Sequence, residues 1–154
     1  MVGILEKIKI YLDNCCYNRP FDDQNQLRIN IETSAKLFIQ KLIVDKQVEM
    51  VWSYVLFIEN YDNPFESRRE AITDFSKNAV DVILENDTIL AKAKEICGTG
   101  VKEKDSLHIA CAIFGGCDYF ITTDDRALKY RDDKIRIIDP IQFIKAWEGA
   151  YENE

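Results

Sequence analysis

The chain has 154 residues, of which 47% are hydrophobic and 31% charged, so we expect a single globular domain spanning residues 1–154. Apolar runs such as residues 55–58 are far too short to span a bilayer, and residues 1–6 lack the pattern of a signal peptide. We therefore expect a cytoplasmic protein without a membrane partner. The net charge of −7 argues against broad, nonspecific binding of nucleic acid through a basic surface.

The cysteines predict free thiols. There are five, at positions 15, 16, 97, 111 and 117, and an odd number without a signal peptide argues against a disulfide framework. No CxxC pair occurs and His108 is the only histidine, so a zinc site built from cysteine and histidine is not expected. We expect the thiols to fill the core as small apolar groups.

Hydrophobic periodicity and turn residues predict strands that alternate with helices along the chain. In chain order we expect a strand at 8–12, a loop at 18–25, a helix at 25–45, a strand at 48–52, helices at 54–61, 64–80, 88–97 and 103–114, a strand at 118–122, a helical turn at 124–130, a strand at 135–139 and a helix at 140–148. This alternation predicts an α/β fold with a central parallel sheet of four to five strands flanked by helices. Phe38, Phe57, Phe114 and Phe120 are expected in the core.

Acidic residues follow the predicted strands. Asp13 comes directly after the first strand, Asp124 and Asp125 follow the 118–122 strand, Glu59 follows the apolar run 55–58, and Asp105 opens a helix. The carboxyl ends of parallel strands share one edge of the sheet, where ligand sites of such folds lie. Carboxylates clustered there repel one another unless a divalent cation is bound, and their hard oxygens suit Mg²⁺ or Mn²⁺. An acid excess in the composition is compatible with such a site.

Each acid also has an alternative role. Asp13 and Asp124 could cap the turns that follow them. Glu59 could face solvent, and Asp105 could favour the helix N-terminus through the macrodipole. His108 shares a helix face with Asp105, and a packed, hydrogen-bonded histidine is the more common interpretation than a general base.

Residues near these acids could contact a polyanion. Arg19 could reach a phosphate or pair with Asp22 or Asp23, and Thr122 or Thr123 could hydrogen-bond a phosphate or a metal-bound water, although Thr122 could equally fill its strand. The segment 126–136, which includes Arg126, holds five basic and two acidic residues, a net charge of +3 (five minus two). A solvated surface of mixed charge is the alternative interpretation of that segment.

The sequence resembles the PIN domain family of nucleases at four places in order. "IYLDN" resembles the first strand and first acid of that family, here Asp13, and "SYVLFIE" resembles the serine followed by an acid, here Glu59. "KDSLHIACA" closely resembles the Asp-x-x-His/Leu-x-Ala helix and gives Asp105, while "FITTDD" resembles the Thr-x-Asp strand end and gives Asp124. "LDNCCYNRPFDDQNQLRI" also resembles a bacterial subgroup of PIN proteins.

The resemblance implies an endoribonuclease that depends on Mg²⁺ or Mn²⁺. Asp13, Asp105 and Asp124 would hold the metal, with Asp125 as a further ligand, and Glu59 would complete the site or orient the attacking water. Arg19, Thr122 and Arg126 are the candidate substrate contacts. Many small members are VapC-type toxins that dimerise and are blocked by a small antitoxin, so RNA, an antitoxin and a second copy are the expected partners. A catalytically silent binding module and a DNA nuclease are the alternatives; neither a P-loop nor a GxGxxG motif is present.

Overall fold

The computed structural model describes residues 7–152. Residues 1–6, which lack the pattern of a signal peptide, and residues 153–154 of the expected domain lie outside it. Five strands form one sheet in the order β3-β2-β1-β4-β5, and every neighbouring pair is parallel. The strands are β1 (Lys9–Leu12), β2 (Glu49–Ser53), β3 (Asp81–Ile83), β4 (Tyr119–Ile121) and β5 (Arg136–Ile138). The prediction of a parallel sheet of four to five strands is confirmed.

Seven α-helices flank this sheet within the described residues. They are α1 (Asn14–Asn18), α2 (Leu27–Val44), α3 (Tyr54–Tyr61), α4 (Glu66–Ser76), α5 (Asp87–Cys97), α6 (Glu103–Phe114) and α7 (Pro140–Glu152). Two short 3₁₀ turns, Arg19–Phe21 and Ala127–Lys129, lie in the connections after α1 and β4. In the described part of the chain, no helix is both long and apolar enough to cross a membrane.

The sheet is buried from both sides, which explains the continuous apolar sequence of its inner strands. Ile10, Tyr11 and Leu12 of the central strand β1 have no exposed surface. The β1–β4 ladder continues beyond the strands, since the backbone N–H of Asp13 donates to the carbonyl of Ile121 at 2.9 Å. The first candidate acid is thereby fixed at the carboxyl edge of the sheet.

The structure departs from the prediction at two places between residues 64 and 87. The helix expected at 64–80 runs only from Glu66 to Ser76, and the strand β3 was not predicted. The sequence of β3, Asp-Val-Ile, is short, and its Val82 is exposed at the edge of the sheet. Pairing with β2, which local sequence does not encode, decides this strand.

The segment after Asp13 is more ordered than the predicted loop. Asp13 is the N-cap of α1, because its side chain accepts a hydrogen bond from the N–H of Asn14. A 3₁₀ turn with Pro20 at its start follows directly within the range 18–25 that was expected to be loop. The helical turn expected at 124–130 is the 3₁₀ turn Ala127–Lys129.

The aromatic and thiol contents of the core are partly as predicted. Phe120 is fully buried, but Phe38, Phe57 and Phe114 are exposed by 40%, 62% and 50%. Among the cysteines, three are buried, Cys15 is half-buried and Cys97 is exposed; all are free thiols. The surface phenylalanines lie on the outer faces of amphipathic helices, where helical spacing alone does not tell a rim position from a core position.

Candidate active site

Asp13 and Thr122 form the floor of the candidate site. Asp13 is 5% exposed and follows β1, while Thr122 follows β4 and has no exposed surface. The Thr122 hydroxyl donates to Oδ2 of Asp13 at 2.8 Å, and the other oxygen of Asp13 accepts the Asn14 N–H at 2.7 Å. Asp13 therefore caps α1 and also directs its carboxylate into the edge of the sheet, so its two proposed roles coexist.

The hydroxyl of Thr122 also binds the backbone of Asp124. Its backbone N–H donates to Oγ1 of Thr122 at 3.0 Å. Its Oδ1 accepts the N–H of Arg126 at 2.8 Å, which caps the following turn, and leaves Oδ2 without a hydrogen bond in the described residues. Thr122 thus links Asp13 and Asp124, two of the acids predicted from the sequence, through one buried oxygen atom.

Glu59 is fixed by a histidine. Nε2 of His108 lies 2.6 Å from Oε1 of Glu59 and 3.8 Å from Oδ1 of Asp13. An ionised carboxylate only accepts hydrogen bonds, so Nε2–H is the donor. Glu59 lies on α3 and is 12% exposed in its side chain, and His108 lies on α6 and is 1% exposed. Asp13 and Glu59, which are far apart in the sequence, therefore both lie close to Nε2 of His108.

A buried chain of hydrogen bonds holds the other side of the His108 ring. Oη of Tyr11 lies 2.6 Å from Nδ1 of His108 and 2.6 Å from Oγ of Ser53, and Ser53 Oγ accepts the N–H of Leu56. With a neutral ring, Ser53 donates to Tyr11 and Tyr11 donates to Nδ1, which leaves the ring proton on Nε2 facing Glu59. The chain fixes both the orientation of the ring and its tautomer.

Charge around His108 opposes the effect of its burial. Burial alone lowers the pKa of His108, but the hydrogen bond to Glu59 and the carboxylates of Asp13, Glu59 and Asp105 outweigh it, and the pKa lies above its ordinary value. Burial raises the pKa of Tyr11, so its hydroxyl keeps its proton.

Asp105 completes the group of acids. It lies in the first turn of α6 and is half-buried. Burial raises the pKa of Asp105, and the negative charges of Asp13 and Asp124 raise it further. Within the described residues its carboxylate accepts no hydrogen bond, so both oxygens remain available to a ligand. The acids after β1 and β4 and at the start of α6 therefore face one another closely enough to interact.

The donor set suits a hard divalent cation. Within residues 7–152, no three histidine, cysteine, aspartate or glutamate side chains stand close enough to hold one ion directly. The negative charges of Asp13 and Asp124 nevertheless act on the carboxyl group of Asp105, and Mg²⁺ characteristically keeps several water ligands. Ligation partly through water fits this arrangement of acids.

Asp125 and Arg19, two further predicted site residues, are engaged elsewhere. Arg28 binds both oxygens of the exposed Asp125, at 2.8 and 3.0 Å, which lowers the pKa of that carboxyl. Arg19 lies 3.3 Å from Asp22, 3.4 Å from the buried Glu32, and donates to Thr123 at 2.7 Å. Arg19, which follows α1, and Arg28, in the first turn of α2, tie this part of the chain to the residues after β4.

A basic cleft opens beside Asp105. Its volume is about 520 Å³, and Lys102 and Arg126 lie on its wall together with the acid. The full lining is Thr99, Gly100, Val101, Lys102, Asp105, Arg126, Ala127, Lys129, Tyr130 and Arg131. The basic side chains of the segment 126–136 are therefore partly gathered at the acid cluster, although the protein as a whole is acidic.

Sequence reasoning missed the parts of the site that hold the acids in place. The Ser53–Tyr11–His108 chain and the bond between Thr122 and Asp13 were not predicted. Ser53 was noted only as the serine of the motif "SYVLFIE", and in the structure it also caps α3. The available signal was the position of Tyr11 and Thr122, each within two residues of a candidate acid at a strand end.

Comparisons with known proteins identify the fold. No protein-family model and no curated protein matches the chain. One chain of the crystal structure of VapBC2 from Rickettsia felis bound to a DNA fragment from their promoter is similar, with a TM-score of 0.55 and 14% identity over 84% of this chain and 97% of that chain. At this identity the similarity concerns the fold alone. The chain therefore has an α/β fold similar to that of the VapBC2 chain.

Proposed function

We propose that the protein is an endoribonuclease that depends on Mg²⁺ or Mn²⁺ and acts as the toxin of a VapC-type toxin–antitoxin pair. The observation that carries the proposal is the convergence of Asp13, Glu59, Asp105 and Asp124 at the carboxyl edge of the sheet, where burial and the acidic neighbours raise the pKa of Asp105. The similarity to a chain of VapBC2 supports the VapC type. We propose RNA and not DNA as the substrate because the motifs resemble those of PIN ribonucleases.

The acids divide into ligands and a water-positioning group. Asp13, Asp105 and Asp124 hold the cation at least partly through water, and Asp125 is a further ligand if it leaves Arg28. The bound cation supplies an activated water and stabilises charge on the phosphoryl group. Glu59, fixed by His108, orients the attacking water for cleavage that leaves a 5′-phosphate and a 3′-hydroxyl.

The basic cleft holds the polyanion next to the acids. Lys102, Arg126, Lys129 and Arg131 offset the negative charge that otherwise repels a phosphate backbone from Asp105. Arg19 is already paired with Asp22 and Glu32, so its contact with substrate requires it to exchange those partners. Thr122 is fully buried and acts behind the acids in this arrangement.

The outer face of α3 supports a protein partner. Glu59 points inward, whereas Phe57 and Tyr61 are exposed by 62% and 73% and their rings stack 6.5 Å apart. Exposed aromatic residues beside a polar site are typical of protein interfaces. We propose a small antitoxin as the partner that covers this face, and a homodimer is the other assembly that we propose. Light scattering alone and after coexpression with the product of a neighbouring small gene distinguishes them.

Cleavage of labelled single-stranded RNA and DNA by the purified protein, with Mn²⁺, Mg²⁺ or EDTA, tests the proposal. The variant Asp105→Asn removes one acid, and Asp87→Asn is a matched control because Asp87 is also an acid in the first turn of a helix but is exposed and outside the site. We expect metal-dependent cleavage of RNA by the wild type and by Asp87→Asn, and a loss of at least 100-fold in Asp105→Asn.

The other outcomes separate the alternatives. Equal activity in all three proteins indicates a contaminating nuclease and contradicts the assignment of the acids. Preferential cutting of DNA identifies a DNA nuclease. Binding of RNA without cutting, with bound Mn²⁺ demonstrated, identifies a silent binding module and overturns the enzymatic proposal.

A further inference from the structure

Lys36 is a buried cation that has no counter-charge within residues 7–152. It lies on the inner face of α2 and is 4% exposed. Its Nζ lies 5.7 Å from the ring centroid of Tyr17 on α1 and 5.6 Å from that of Phe75 on α4. Within the described residues, no carboxylate forms an ion pair with Lys36 and no acceptor forms a hydrogen bond with it. Two aromatic faces are therefore the main stabilisation of this ammonium group.

The electrostatics of this position are unfavourable. Burial lowers the pKa of Lys36 to about 8, and the Cys16 thiol on α1 opposes this only in part. Tyr17 on α1 and the uncharged Phe75 on α4 are the other groups that face the amine. Near neutral pH the amine is still mostly protonated, so the structure holds a positive charge in an apolar setting. A buried ion is normally paired because desolvation is costly.

A pocket of about 200 Å³ adjoins this lysine between α2 and α4. Its lining consists of Tyr17, Pro20, Phe21, Lys36, Leu37, Gln40, Ala71, Ile72 and Phe75. Apart from Lys36 and Gln40, which lies one turn later on α2, this lining has an apolar or aromatic surface. A cavity of about 150 Å³ is enough to bind benzene, so this volume suits a small ring with one polar substituent. None of the candidate catalytic acids lines the pocket.

We propose that this pocket binds a small monocarboxylate with an apolar or aromatic body. The carboxylate pairs with the Lys36 ammonium and accepts a second hydrogen bond from the Gln40 amide, while the body packs against Leu37, Ile72 and Phe75. A single negative charge matches the single buried positive charge. A phosphate dianion leaves an excess charge in the same apolar space and finds only two donor groups there.

This site does not depend on the proposed nuclease activity. Occupancy is measured in EDTA by ¹⁵N NMR, with benzoate as the probe and benzyl alcohol and inorganic phosphate as comparisons. We expect saturable benzoate binding with a Kd on the order of 1 mM. The amide shifts should be confined to α1, α2 and α4, and benzyl alcohol should bind at least tenfold more weakly.

Two variants test whether Lys36 supplies the positive charge that binds benzoate. Lys36→Met should weaken benzoate binding at least tenfold, whereas Lys41→Met should not, because Lys41 lies on the same helix but is exposed. Unaltered binding in Lys36→Met, or equal binding of benzyl alcohol and benzoate by the wild type, overturns the proposal.

A measurement on the wild type covers the case in which Lys36→Met fails to fold. ¹³C-dimethylation of the lysines gives one signal per residue, and the Lys36 signal should move on addition of benzoate and titrate at higher pH than without it. A Lys36 signal unaffected by saturating benzoate, or shifts centred on the basic cleft, contradict the assignment.

Discussion

The Nε2 atom of His108 lies 2.6 Å from Glu59 and 3.8 Å from Asp13, so one buried ring nitrogen faces two of the four candidate acids. We expect His108→Ala to lower the cleavage rate about 10- to 100-fold, the usual effect of losing a group that orients a functional side chain. His108→Gln, whose amide N–H can approach the position of Nε2, should retain more activity. The measurement is the single-turnover rate at saturating Mn²⁺.

Folding must be separated from positioning in this pair. Both His108 variants leave Tyr11 without its acceptor, so both should lose stability to a similar degree in urea unfolding. If the rates of the two variants fall equally while their stabilities agree, His108 does not act through Glu59.

The Thr122 hydroxyl holds Asp13 and the backbone of Asp124 together. Thr122→Val keeps the shape of the side chain but removes this donor and acceptor, and leaves two buried groups unpaired. We expect a stability loss of about 1–3 kcal/mol and a rate at least tenfold lower. Thr122→Ser keeps the hydroxyl, so its rate should stay within about threefold of the wild-type rate. A change of that size is smaller than the effect expected for one lost hydrogen bond. Equal rates for Val and Ser would show that this hydroxyl does not position the acids.

Asp124 and Asp125 are adjacent in the sequence but lie in different surroundings. Asp124 is attached to the acid cluster, whereas Asp125 is 68% exposed and paired with Arg28. We expect Asp124→Asn to abolish detectable cleavage and to weaken Mn²⁺ binding in calorimetry. Asp125→Asn should alter both quantities by no more than about threefold, the scale of an exposed ion pair. A comparable loss of Mn²⁺ affinity in both variants would establish Asp125 as a ligand that leaves Arg28 when metal binds.

Lys36 predicts a pH dependence of stability. Its pKa of about 8 in the folded protein lies below the ordinary value of 10.5, so the unfolded chain binds more protons between these two values. The unfolding free energy of the wild type should therefore rise relative to that of Lys36→Met as the pH increases from 8 to 10.5. The full shift corresponds to roughly 3 kcal/mol as an upper limit.

Urea unfolding of both proteins from pH 6 to pH 10 checks this dependence, and Lys41→Met again serves as the control. Below about pH 7 the difference between wild type and Lys36→Met should be constant, because Lys36 is then protonated in both the folded and the unfolded state. A difference that is constant across the whole range would show that the amine is not desolvated by the fold.

Predictability from sequence follows the range of the interactions involved. The strand ends that carry Asp13 and Asp124, and the helix that Asp105 opens, are encoded locally by apolar runs and turn residues. The strand β3 and the pairing of Arg28 with Asp125 depend on segments that meet only after folding, the latter across 97 residues. The orientation of Glu59 likewise depends on His108, 49 residues later, and no local sequence pattern predicts that contact.

The order of strands in the sheet has a consequence for biosynthesis. β1 lies between β2 and β4, so the first acid gains its support only when residues 119–122, more than a hundred positions later, have been made and inserted. A nascent chain that has emerged as far as α5 contains Asp13 and Glu59 but lacks His108, Thr122 and two of the four acids. The site therefore cannot assemble before β4 and the residues directly after it have been synthesised, and a truncated polypeptide that stops before β4 cannot form it.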